Sequence, residues 1–175
     1  MNITIFNGSS NLGFACIKKA LSLNFRVKTF IHTGANLPIQ DFRLLTIQGN
    51  ISETHKIEAA LIGGQALIYI LDWDKMPSDN EVFFFEKGIW HLFEYLSSTM
   101  LQKIIFVLPN QQKQWHSKVN TTLNTLMEQI IQKAENTSLN YEIIKNDFVI
   151  SCFSKKIQYL ANQNDLAKTI LAKLQ

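Results

Sequence analysis

Cysteine, proline and glycine are all scarce in this chain. The two cysteines, Cys16 and Cys152, stand far apart with no C-x-x-C pair and no Cys/His cluster, which excludes a disulfide framework and a zinc site. Cys16 reads as a small buried hydrophobe. Three prolines and seven glycines in 175 residues leave no linker, repeat or low-complexity tract, so residues 1–175 read as one domain. Charge of one sign is lacking too. The formal net charge of +3 is spread along the chain, and the pairs Lys18-Lys19 and Lys155-Lys156 are too small to form a nucleic-acid track. The richest apolar stretch, residues 82–96, is broken by Glu86, Lys87, His91 and Glu94, which excludes a membrane span. Met1 leads into a strand pattern rather than a charged n-region and an apolar run, so no secretory leader is expected and the expected location is cytoplasmic.

What is present is alternation. Residues 3–6, 26–32, 44–48, 66–71, 104–108 and 141–144 are β-branched or wholly apolar runs that read as strands. Helical spacing separates them: Leu12, Cys16, Ile17, Ala20 and Leu21; Ile57, Ala60 and Leu61; Val82, Phe85, Ile89, Trp90, Phe93 and Leu96 in a helix reaching about Leu101; a segment within 119–134; and residues 165–174. Residues 38–42 are one short helical turn or a loop. Ser52 and Asn164 are expected N-caps, Ser78 and Glu81 have capping-box spacing, and Gly63-Gly64 is the expected stop of the second long helix. The expected fold class is α/β: a doubly wound parallel sheet of about six strands with helices on both faces.

The first strand runs straight into a small polar loop that opens a helix, and free N–H groups at such a helix start favour an anion. The loop is Asn7-Gly8-Ser9-Ser10-Asn11-Leu12-Gly13, with Asn7, Ser10 and Gly13 where a G-x-x-G-x-x-G fingerprint carries glycines. Asn7 tolerates left-handed dihedrals better than most residues. Ser10 adds a hydroxymethyl group, and Ser9 and Ser10 offer hydroxyl donors in exchange. A P-loop is excluded, because Phe14-Ala15 stands where Lys and Ser/Thr would hold phosphate and magnesium.

Five stretches in order resemble the NmrA-like, atypical short-chain dehydrogenase/reductase family. Phe6-Asn-Gly-Ser-Ser-Asn-Leu-Gly13 is similar to F-G-A-T-G-x-x-G, residues 48–53 to x-G-D-x-x-D, residues 60–68 to A-L-x-G-x-D-A-V-I, residues 138–144 to G-L-D-W-T-I-V, and residues 164–167 to R-D-L-A. The resemblance implies a Rossmann fold holding NAD or NADP, with the pyrophosphate on residues 7–13 and the adenine near Asn50 and Ile51. It places His32 where relatives carry an arginine for the 2′-phosphate, so NADP preference is not supported. Asn50 stands for an Asp and can still bond the ring.

Proton-relay chemistry is not expected. Tyr141 and Lys145 have Tyr-x-x-x-Lys spacing but fall in a predicted strand, and the preceding helix offers Asn120, Asn124 and Glu128 with no Tyr. The resemblance leaves a cofactor-only reductase, passing hydride directly to a small aromatic, flavin-like or quinone-like substrate. Its pocket wall would come from Asp72, Trp73 and Asp74, from Pro109 and Asn110, and from Asn146, Asp147 and Phe148, with residues 151–162 as a lid. Asp72 and Asp74 lack a third ligand, so no metal is expected. His91 and His116 are expected to pack or face solvent. The other reading is a degenerate family member, a regulatory or interaction module without cofactor. A homodimer through Phe83, Phe84 and Tyr95 is a further expectation.

Overall fold

The computed structural model describes residues 1–71, 79–96, 101–108, 117–136, 140–145, 148–151, 158–159 and 163–174. The chain runs β1 (Asn2–Phe6), α1 (Asn11–Ser22), β2 (Arg26–His32), β3 (Leu44–Gly49), α2 (Thr54–Leu61), β4 (Ala66–Ile70), α3 (Asp79–Leu96), β5 (Lys103–Leu108), α4 (Ser117–Glu135), β6 (Tyr141–Lys145), β7 (Phe148–Ser151), β8 (Gln158–Tyr159) and α5 (Gln163–Ala172). The strands form one sheet in the order β3-β2-β1-β4-β5-β6-β7-β8. The first six strands pair in parallel, as expected. β7 and β8 extend that edge antiparallel and were not expected.

The two faces of the sheet bury two separate cores. On one, Leu12, Cys16, Ile17 and Ala20 of α1 and Leu166, Ala167 and Ile170 of α5 pack on Ile3, Ile5, Ile68, Ile105 and Val107. On the other, α2, α3 and α4 contribute Ile57, Leu61, Leu92, Phe93, Leu126 and Ile130 against Phe6, Tyr69 and Phe106. Strict alternation along each strand sends its odd and even residues to opposite helical layers, which is why the central strands carry no polar face. An aromatic row crosses the second face. Phe30 stacks on Phe6 at 5.1 Å between ring centroids, Phe6 on Tyr69 at 5.4 Å, Tyr69 tilts against Phe106 at 6.2 Å, and Phe106 stacks on Phe93 at 5.6 Å. Burial there pushes the Tyr69 phenol pKa up.

Several expected boundaries shift. Residues 38–42 hold no helix, and Leu37 and Ile39 of that crossover pack as loop residues on the α1 side. Glu53, not Ser52, stands at the N-cap of α2 and makes no side-chain capping bond to the helix; its carboxylate accepts instead from the Asn50 N–H at 2.7 Å in the preceding turn. α5 starts at Gln163, which puts Asn164 inside the helix. Leu101 lies outside α3, buried, next to Gln102, whose N–H donates to Gln65 O. Gly63 ends α2 as expected, with φ +72° and the Gly64 N–H bonded to Leu61 O. Ser78, the other half of the expected capping box, lies outside the described residues, as does Cys152.

Cys16 is wholly buried, and burial pushes its thiol pKa up to about 12. A thiol in that state does not supply the reactive thiolate. In a Cys152→Ser variant, Cys16 is expected to give no reaction with Ellman's reagent at about pH 8 until denaturant is added. Rapid labelling of the native variant would contradict this packing.

Candidate functional site

The strand order reverses between β1 and β4, where one connection leaves toward each face of the sheet, and a crevice opens at the carboxyl ends of such strands. Asn7 bridges it. Its side-chain amide donates to Ile70 O at the end of β4 at 3.3 Å, while its backbone sits at φ 62° and its N–H donates to Phe30 O of β2. Asn7 therefore takes the left-handed position that the first fingerprint glycine normally fills.

Two glycines hold the loop against its neighbours. A Cβ on Gly8 would stand 1.9 Å from Thr29 Oγ1, and one on Gly13 would stand 2.2 Å from Asn7 O and 2.8 Å from Gly8 Cα. The backbone of the loop and the first turn of α1 thus touch directly. The motif keeps its close approach although it has lost two of its glycines.

Ser10 behaves differently from the expectation of a phosphate donor. It is buried, its hydroxyl donates to Asn7 O at 2.9 Å, and it accepts from the Gly13 N–H at 3.0 Å. It is the N-cap of α1, so its hydroxyl is spent inside the loop. Ser9 is exposed and has no protein partner among the described residues, and the Leu12 N–H likewise has no acceptor there. The anion-directed part of the loop is therefore Ser9 and the Leu12 amide at the positive end of α1. Asn11 is exposed beside them.

At the carboxyl ends of β2 and β3, His32 pairs in register with Gly49. His32 is exposed, with Nδ1 2.8 Å from Thr33 O; a carbonyl only accepts, so Nδ1 is the donor in this contact. The Asn50 side chain is exposed, whereas Ile51 is not an open contact: its side chain packs on the α3 core and fills the space over Gly88.

Asp72, Trp73, Asp74, Pro109, Asn110, Asn146, Asp147 and His116 lie outside the described residues, and so does most of 151–162. Phe148 opens β7, in antiparallel register opposite Lys145, rather than lying in a loop. Tyr141 and Lys145 stand at the two ends of β6, roughly 13 Å apart along a strand, so they form no proton-relay pair. α4 contains no tyrosine. His91 is half-exposed, 3.3 Å from Glu94. Tyr95 packs against the core, while the side chains of Phe83 and Phe84 lie outside the description. Among the described residues no three metal-binding side chains converge, and no helix is long and apolar enough to cross a membrane.

A parallel sheet reversing beside β1, with a glycine-tightened turn into α1, recurs among solved structures. The fold is the Rossmann fold. The chain is similar to a short-chain dehydrogenase/reductase from Veillonella parvula DSM 2008 in complex with NADP, at 14% identity and TM-score 0.72, covering 99% of this chain and 86% of that one. It is similar to a Rossmann-fold NAD(P)-binding family protein from Shigella flexneri at 11% identity and TM-score 0.69, covering 98% and 84%. A third is a short-chain dehydrogenase/reductase superfamily protein from Agrobacterium tumefaciens with bound NAD, at 13% identity and TM-score 0.65, where the match covers 83% of this chain and 48% of that one. No family model matches the sequence, and no curated protein matches it.

Proposed function

We propose that the chain binds a nicotinamide dinucleotide, NAD or NADP, across the carboxyl ends of β1, β2 and β3, as an NmrA-like atypical short-chain dehydrogenase/reductase would. The observation that carries the proposal is the loop backbone: left-handed Asn7 and two glycines with no room for a Cβ draw the loop tight against β2 and the first turn of α1, with exposed Ser9 and the Leu12 amide at the positive end of that helix. Fold neighbours crystallised with NADP and with NAD support the same ligand class. In this arrangement Ser9 and the Leu12 amide hold the pyrophosphate, Gly8 and Gly13 keep the loop backbone close to the helix start, and Asn50 holds the adenine. His32, an imidazole where a guanidinium fork would pair a 2′-phosphate, does not support an NADP preference.

A bound nicotinamide would supply the hydride, leaving as the oxidised cofactor, and the chain would need only to orient it, the reduced substrate taking its proton from water. Any reduction proceeds without a Tyr/Lys pair, onto a small aromatic, flavin-like or quinone-like substrate. Asp72, Trp73, Pro109, Asn110 and Phe148 are the proposed substrate wall. The second reading, a regulatory or interaction module without cofactor, is favoured by one specific observation: the Ser10 hydroxyl occupies the Gly13 amide that a phosphate would otherwise use.

Thermal melts with NAD, NADH, NADP and NADPH separate the two readings. A ligand at about a hundred times its Kd adds about 2.7 kcal/mol, a rise of roughly 5–11 °C at this size. Ser9→Asp is expected to abolish that rise by setting a carboxylate against the pyrophosphate. The free protein should meanwhile hold or gain stability, since an acid at a helix start contributes about 0.3–1 kcal/mol. No rise with any of the four dinucleotides selects the interaction module.

A further inference from the structure

α2 is too short to cover the strands beneath it. Its 8 residues span about 12 Å, whereas the 7 residues of β2 span about 23 Å. The last turn of α2 stops at the level of Thr4 and Lys28: Thr4 Oγ1 donates to Ala60 O at 2.8 Å, and Lys28 Nζ donates to Ala59 O at 3.2 Å and to Ile62 O at 2.6 Å. Beyond that turn, at the amino-terminal ends of β1, β2 and β3, lies a cavity of about 340 Å³. It sits at the opposite end of the strands from the Asn7 crevice, about 15 Å away along β1.

The lining carries charge of one sign. Arg26, Lys28 and Arg43 all border the cavity, and no Asp or Glu does among the described residues. Arg43 is committed to Asp41 at 2.7 Å, and Lys28 closes the α2 carbonyls. Arg26 is exposed, and its guanidinium has no partner among the described residues. Two exposed apolar side chains also line it, Phe42 at 97% and Leu45 at 54%, both beside the edge strand β3. Water-facing apolar side chains gathered at a concave site mark a contact surface rather than scattered exposure. A second copy of the chain fits poorly, because a twofold contact would set these cations against their own images.

A ligand with one anionic head and an apolar body answers both features, the head on Arg26 in the field of Lys28, the body on Phe42 and Leu45. The volume falls within the small-molecule range of about 300–1,000 Å³. We infer that this cavity binds a small organic anion with an apolar body, of the aryl-alkyl carboxylate class, separately from the dinucleotide crevice. The inference does not depend on cofactor binding.

The seven glycines make the test selective, because Gly63 and Gly64 line this cavity while Gly8 and Gly13 lie in the dinucleotide loop. Protein labelled with 15N and assigned by triple resonance is titrated with 4-phenylbutyrate and with its uncharged amide, 4-phenylbutyramide. The carboxylate is expected to shift Gly63 and Gly64 saturably, leave Gly8 and Gly13 in place, and bind at least tenfold more tightly than the amide. Arg26→Glu should weaken the carboxylate at least tenfold and leave the spectrum of the free protein otherwise intact. Phe42→Ser should weaken carboxylate and amide alike. Equal binding of the two probes, indifference to Arg26→Glu, or shifts confined to Gly8 and Gly13 would each overturn the inference. NADPH added to the same sample reads the crevice independently, through Gly8 and Gly13.

Discussion

Gly13→Ala is expected to destabilise the protein by about 3 kcal/mol, lowering its melting temperature by roughly 6–12 °C. On helix propensity alone the sign would be the reverse, since alanine exceeds glycine by about 1 kcal/mol inside a helix. Sterics decide the outcome. The new methyl would meet Asn7 O at 2.2 Å and Gly8 Cα at 2.8 Å, and both are backbone atoms of a loop that strand bonds and the Ser10 cap already hold. No rotamer relieves such a contact, so the loop must move away from α1, and the Asn7 contacts to Ile70 and Phe30 go with it. Urea titration of both proteins measures the difference. A neutral or stabilising effect would mean that the loop lies farther from the helix than described. The same contact makes any Gly13 variant a poor probe of dinucleotide binding, which is why exposed Ser9 serves that purpose.

Lys103→Met is expected to cost about 3–5 kcal/mol. Glu142 is almost wholly buried in β6; Lys103 Nζ stands 3.0 Å from its Oε1, and Lys173 Nζ is more distant, at 3.7 Å from Oε2. Oε2 accepts no hydrogen bond among the described residues. Removing Lys103 therefore leaves the buried carboxylate with only the longer Lys173 pair at 3.7 Å among the described residues, and also strips a donor from Lys173 O, which Lys103 Nζ reaches at 2.6 Å. The double variant Lys103→Met with Glu142→Leu should recover most of the loss, because an apolar pair of similar volume carries no uncompensated charge. Denaturant titration of the single and double variants checks both statements. A single variant as stable as the parent would mean that the carboxylate reaches water.

The strands of the parallel core were legible because each is a run of apolar or β-branched residues with no competing period, and buried parallel strands need both faces apolar. Residues 66–71 show this best: β4 is buried at every position. β7 and β8 were not legible. At 4 and 2 residues they have too little pattern to stand out, and they exist through their pairing with β6 and with each other. Cap positions also escaped. Ser52 has the better intrinsic propensity, yet the cap falls one residue later, at Glu53, whose side chain bonds the Asn50 N–H of the preceding turn rather than a helix N–H.

The candidate site divides in the same way. That Asn7 adopts a positive φ followed from its residue type, and Cys16 as core followed from helical spacing. The inward turn of the Ser10 hydroxyl and the packing of Ile51 over Gly88 did not follow from composition or spacing, because each depends on atoms far along the chain or on one choice of rotamer. The basic cavity beneath α2 had no sequence signal at all: Arg26, Lys28 and Arg43 are ordinary strand-end cations until parallel pairing brings β2 and β3 together.

By itself the sequence determined the alternating α/β architecture and the place where a strand hands over to a helix through a small polar turn. Periodicity and residue size are local properties, so they survive being read in one dimension. Tertiary structure alone decided which hydroxyl is consumed by the loop, which carboxylate is buried beside which lysine, and where the sheet is left uncovered. Those outcomes rest on distances between residues that the chain brings together only after folding.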